Sequence, residues 1–178
     1  PEGFDRVDLA PFGFGAWLRA LPVDLGAPVV RTSTGRVIAA PALATVPLDL
    51  GRGDLQQCAD SALRLYAEYR WDTGRTEDMA FHFTSGDRSA WTDWVDGERF
   101  VVSGSRVQRT SGSPVEPTHA AYRSWLQHTF LYAGTRSLHH DTRAVEPNGP
   151  LLPGDVFVDP GSPGHAVVLL DVAESATG

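Results

Sequence analysis

The segment Asp54-Leu-Gln-Gln-Cys-Ala-Asp60, running straight into Ser61-Ala-Leu-Arg-Leu-Tyr-Ala-Glu-Tyr-Arg70, constrains the chain more than any other. Cys58, Ala62, Leu65 and Tyr69 recur at i, i+4, i+7 and i+11, the spacing of one stripe on a helix that must bury a side against a core. Asp54 followed three residues later by Gln57 has capping-box spacing, so the helix is expected to start at Asp54, with Arg64 and Arg70 off the stripe. Cys58, the chain's single cysteine, then falls at the border between core and solvent. A thiol near a helix N-terminus feels the positive end of the macrodipole, which stabilises the thiolate and makes a nucleophile. The same thiol is also a small apolar side chain that cores readily accept.

Composition narrows the function classes. A chain of 178 residues, 42% of them hydrophobic and 10% aromatic, has enough apolar material for one domain with a sizeable core. The net charge of -7 and the scattering of the arginines along the chain argue against a nucleic-acid footprint. One cysteine excludes an intramolecular disulfide and a cysteine-rich zinc site. No apolar run approaches the ~20 residues that span a bilayer, so no transmembrane segment is expected.

The rest of the chain reads as short elements joined by turns. Phe14, Trp17, Leu18 and Leu21 suggest a short helix ended by Pro22. Residues 28–38 carry a hairpin signal around Ser33-Thr-Gly35, and residues 44–50 a strand leading to the Gly51-Arg-Gly53 turn. Met79, Phe81 and Phe83 alternate with Ala80 and His82, a half-buried strand with His82 on the opposite face. A strand is expected from Arg99 to about Ser103. Pro117 can open a second long helix with Tyr122, Trp125, Leu126, Thr129 and Phe130 as its apolar stripe and Gly134 closing it. Residues 135–149 read as irregular. Residues 154–171 read as two strands joined by a Gly/Pro loop, with His165 opening the second. The order favours an α+β layer arrangement over a doubly wound sheet.

A cysteine at a helix start and a histidine on a strand some hundred residues later is the arrangement of cysteine hydrolases with papain-like topology, in which imidazole takes the thiol proton and the thiolate attacks an acyl carbon. Gly154-Asp-Val-Phe-Val with Gly164-His-Ala-Val-Val-Leu-Leu170 resembles the strand pair carrying the histidine in CHAP and related cell-wall amidases. Over nearly the whole chain, Trp17-Leu-Arg19, Asp54-Leu-Gln-Gln-Cys-Ala-Asp60, Ala133-Gly-Thr-Arg-Ser-Leu138 and Pro163-Gly-His-Ala-Val167 resemble the bacterial family described as domain of unknown function 4846. That family brings no established activity. The amidase resemblance implies a papain-like α+β fold, with an antiparallel sheet packed against the Cys58 helix and a second long helix. It also implies an amide substrate, peptide or peptidoglycan-like, and a cell-envelope or secreted setting in which any targeting segment lies outside this chain.

In this reading Cys58 is the nucleophile and His165 the base. Asp171, six residues along the same strand and so about 20 Å away, cannot orient the imidazole; Asp159, set beside His165 by a hairpin through Pro160 and Gly164, can, although a loop-capping aspartate reads the same way. The orienting residue of the amidases usually sits on the next strand, beyond Gly178 if the native chain continues. Gln56 and Gln57 can assist an oxyanion only if the helix starts later than Asp54, because on the helix they point about 200° and 100° from Cys58. Trp94, with Trp91 near Asp93 and Asp96, can stack on a sugar ring or belong to the core. His139-His140-Asp141 invites a metal, yet adjacent histidines point apart and no third ligand is spaced for one, so neither metal nor cofactor is expected. His82 reads as a satisfied surface histidine or an orienter from a neighbouring strand, and His119 and His128 as solvated. The alternative to the hydrolase is a noncatalytic ligand- or glycan-binding envelope module with Cys58 buried.

Overall fold

A computed structural model describes residues 2–26, 29–32, 34–38, 42–51, 54–104 and 106–175. Over them the chain forms β1 (Phe4–Arg6), α1 (Phe14–Arg19), α2 (Cys58–Asp72), β2 (Ala80–His82), β3 (Arg88–Ala90), α3 (Trp91–Val95), β4 (Glu98–Ser103), β5 (Arg106–Ser111), α4 (His119–Phe130), α5 (Thr135–Asp141), β6 (Val156–Asp159), β7 (His165–Val168) and β8 (Ala173–Ser175). The strands pair as antiparallel ribbons of two, β1 with β8, β2 with β3, β4 with β5 and β6 with β7. Helices and antiparallel ribbons in one chain make the α+β class expected from the element order.

α2 starts three residues later than the cap signal at Asp54 implies. Gln57 is the N-cap, in an extended conformation, and the Asp60 carboxylate reaches back to accept from the Gln57 N–H at 3.1 Å. A carboxylate at the third helical position satisfies a donor of the first turn and sits at the positive end of the dipole, which makes Asp60 rather than Asp54 the capping acid. The stripe is also wider than the four-residue spacing suggests. Ala59, Leu63, Ala67 and Glu68 are buried along with Ala62, Leu65 and Tyr69, and Arg64 is only 5% exposed. Arg64 is tolerated there because its guanidinium is engaged through Nε and Nη1. Nε donates to Glu68 Oε1 at 2.5 Å, and Nη1 donates to the Asp49 carbonyl and Gln56 Oε1 at 3.1 and 3.2 Å.

α4 presents the expected face, with Tyr122, Trp125, Leu126, Thr129 and Phe130 buried. Its N-cap is Thr118, whose hydroxyl accepts from the Ala121 N–H, so Pro117 stands before the helix rather than in its first turn. Trp125 stacks on Phe81 at 5.8 Å and lies 6.0 Å from Trp91. Its buried indole N–H donates to Ser89 Oγ at 2.9 Å, as an interior tryptophan requires. The Tyr122 hydroxyl donates to the Ala67 carbonyl and so ties α4 to α2.

Four expectations change. Gly134 does not simply end α4; it is the N-cap of α5, a helix in a stretch that reads as irregular from the sequence. Ser137 explains the helix, since its hydroxyl accepts from the Gly134 N–H at 2.7 Å. Residues 44–50 contribute a single bridge, Thr45 with Asp24, instead of a strand. His128 is half-buried rather than solvated; it lies among Phe83, Trp94, Phe100 and Tyr132, and burial pulls its pKa down. His119 is exposed but bonds Glu68 Oε2 at 2.8 Å. Around residues 30–38 an antiparallel bridge joins Arg31 and Val37; Pro28, Ser33, Arg52 and Gly53 of the hairpin and turn signals lie outside the described residues.

The β6–β7 hairpin positions the C-terminal part of the site. Val156, Val158, Ala166 and Val168 pack on the core that includes Ala59, Ala62 and Leu63 of α2. The alternate residues Phe157, Asp159, His165 and Val167 are exposed, as the period of two along a strand dictates.

Candidate functional site at the start of α2

Cys58, the first residue of α2, is partly exposed and packs against the edge of the core. It opens onto a cleft of about 410 Å³ that is also lined by Asp60, Gly134, Thr135 and the loop 161–164. Three segments distant in sequence are locked together here. Thr135 Oγ1 accepts from the Gly161 N–H at 3.2 Å and donates to the Gly161 carbonyl at 3.4 Å. Gly164 fits because it has no Cβ: one placed there would collide with Thr135 Oγ1 and lie 2.7 Å from both the Asp159 carbonyl and the Gly161 nitrogen. The loop also contains a cis Ser162-Pro163 peptide bond. The N-termini of α2 and α5 both face this cleft, so its polar wall is rich in first-turn backbone donors.

Asp60 is the perturbed group of the cleft. It is 7% exposed, and its Oδ1 is buried without a hydrogen-bond partner among the described residues. Burial raises its pKa from 3.8 to about 6, against the opposing pull of the Gln57 N–H and its own N–H. A carboxyl that titrates near pH 6 inside a cleft is a frequent mark of a functional site. The sequence holds this residue in plain view two places after Cys58. The missed signal is the Gln57-x-x-Asp60 pairing, which moves the helix start and turns Asp60 inward.

The remaining expected site residues divide. Gln57 lines the cleft with Cys58, and the condition for its taking part, a helix that starts after Asp54, is met. Gln56 is turned away to Arg64. His165 and Asp159 are register partners on the paired strands, which is the side-by-side placement expected of them. Both side chains lie on the exposed face of the hairpin, whereas Ala166 faces α2. Gly164, immediately before His165, is part of the cleft wall. Among the described residues no hydrogen bond joins the side chains of Cys58, His165 and Asp159. Trp94 is not in the cleft lining. The Arg99 guanidinium lies 4.0 Å from its ring centroid, and His128 lies 5.2 Å away, so the ring is engaged within the fold. Asp171 pairs with Arg19 and Arg6 at 2.7 and 2.6 Å, which holds its carboxyl below the usual range despite partial burial.

Fold and site together define an α+β protein with a cysteine-lined cleft where two helix starts meet a hairpin loop. The family model for Domain of unknown function (4846) matches residues 1–178, and the chain belongs to that family. No curated protein and no solved structure matches it. No helix among the described residues is long and apolar enough to cross a membrane.

Proposed function

We propose that the cleft at the start of α2 is the active site of a cysteine hydrolase of papain-like organisation, acting on an amide bond in a peptide or peptidoglycan-like substrate. The observation that carries this reading is the cleft itself: Cys58 heads the longest helix among the described residues, is reachable by solvent, and shares the cleft with the loop 161–164 that leads into His165. In this reading the His165 imidazole takes the thiol proton and the thiolate attacks the acyl carbon. The developing oxyanion is received by first-turn N–H groups of α2, and the imidazolium returns the proton to the leaving amine. Water then cleaves the thioester with His165 again as base. Asp159, opposite His165 in the register, is the candidate to hold the ring. Asp60 is the competing base, because it already lies inside the cleft and titrates near neutrality.

The second reading, a noncatalytic ligand-binding module, is favoured by the outward-facing side of β7 on which His165 sits. Turnover of a panel of acyl-amino amides and muropeptides separates the two. The hydrolase requires amine release by the wild type, none by Cys58→Ser, and a large loss in His165→Ala or, if the internal carboxylate is the base, in Asp60→Asn. Equal turnover by Cys58→Ser removes the hydrolase, and saturable binding without turnover by any form supports the module.

A further inference from the structure

His82, His140 and Asp141 are brought together on the opposite end of α5 from the Cys58 cleft, about 10 Å along a seven-residue helix at 1.5 Å per residue. His82 lies on β2, facing away from buried Phe81. His140 and Asp141 come from the last turn of α5. The Asp141 carboxylate is fixed at one oxygen, since Oδ2 accepts from the His82 backbone N–H at 2.9 Å. Its other oxygen, Oδ1, is 2.5 Å from His82 Nδ1 and 3.3 Å from His140 Nδ1. The two imidazole centroids are 4.5 Å apart, and the three candidate donor atoms all lie within 4.8 Å of one another.

We propose that these three side chains bind a divalent transition metal ion of the zinc class. The sequence signal at His139-His140-Asp141 lacks a third ligand, and the fold supplies it from 58 residues away in His82. Two imidazoles and one carboxylate suit zinc and its neighbours; calcium and magnesium prefer all-oxygen sets, and this set has no thiolate to select copper(I). An ion about 2.0–2.1 Å from each donor requires donor separations of about 3.3 Å in a tetrahedron. His140 Nδ1 and Asp141 Oδ1 already meet that separation, and the His82 ring has to withdraw from Oδ1 by less than about 1 Å. The Oδ2 bond to the His82 N–H is the kind of outer contact that holds a ligating carboxylate in place. Three protein ligands leave a fourth position for water, the open form of zinc site. His139, about 100° around the helix from His140, is directed elsewhere and lines a separate cavity with Val158, so it provides an internal control.

The test uses the full chain stripped of metal and titrated with Zn²⁺ against a chromophoric chelator, then with Co²⁺ to read the ligand-field spectrum. The expected result is one equivalent bound in the micromolar range or tighter. His140→Ala and Asp141→Asn should each lose about tenfold or more in affinity, while His139→Ala is unchanged. His140 carries the decisive comparison, because its side chain is 66% exposed and its loss leaves the His82–Asp141 pair and the fold intact. A cobalt spectrum of four- or five-coordinate type is expected and should vanish in His140→Ala. No binding in that range, or equal weakening by His139→Ala and His140→Ala, would overturn the proposal, the latter by revealing scattered surface histidines as the binders. None of these readouts depends on whether Cys58 is a nucleophile.

Discussion

Replacing Asp60 by asparagine should stabilise the protein at neutral pH and leave it unchanged in acid. The carboxyl is buried, with one oxygen unpaired, and its pKa stands at about 6 against 3.8 in an exposed aspartate. The difference between 3.8 and about 6 corresponds to about 3 kcal/mol. It already includes the opposing pull of the N–H groups that the carboxylate accepts from. Because the folded-state pKa is raised, the unfolded chain releases its proton first as pH rises. The stability associated with the protonated group is complete below pH 3.8, falls between about 4 and 6, and is gone above about 6. Asparagine keeps an oxygen to accept from the Gln57 N–H and carries no charge to bury. Urea unfolding of both proteins at intervals from pH 4 to pH 7.5 should give a difference near zero at pH 4 that grows to about 3 kcal/mol in favour of Asp60→Asn at pH 7. A difference that does not vary with pH, or a variant less stable at pH 7, would refute the claim that this carboxyl is held in the cleft at a cost.

Two further outcomes follow from buried contacts. Glu68→Gln should cost about 3–5 kcal/mol in the same assay, because it leaves the buried Arg64 charge without its carboxylate partner, while Arg64→Met combined with Glu68→Leu should recover most of that loss. Gly164→Ala should cost about 1–3 kcal/mol from overpacking against Thr135 and the Asp159 carbonyl, and should also lower any turnover, since it displaces the cleft wall.

Much of this architecture is legible in the sequence because hydrophobic period alone decides it. The α4 stripe, the alternation of Met79, Phe81 and Phe83, and the hairpin whose second strand His165 opens all follow from side chains that must leave water. The features that sequence reading misses depend on groups meeting across the chain. Arg64 looks like a solvated charge until Glu68, Asp49 and Gln56 are placed around it. α5 is hidden because its start signal is a glycine capped by Ser137, a hydroxyl outside the usual cap position. The candidate site divides in the same way. Cys58 and its place at a helix start can be read locally, and so can the pairing of Asp159 with His165. The inward turn of Asp60 and the convergence of His82 on His140 and Asp141 need the fold. The outward side of β7 is implicit in the pattern Val156, Val158, Ala166, Val168, whose shared inner face leaves His165 on the other.

Labelling by an acyl-directed electrophile, followed by intact-mass analysis, reads out whether Cys58 is a nucleophile served by a neighbouring base, either His165 beside the cleft wall or Asp60 within it. A single adduct on Cys58, absent in Cys58→Ser, is the expected result. It forms much faster than on an unfolded cysteine peptide, and is slowed by about 10²–10⁴ when the base is removed. Labelling no faster than that of the unfolded peptide, and indifferent to both His165→Ala and Asp60→Asn, would contradict it.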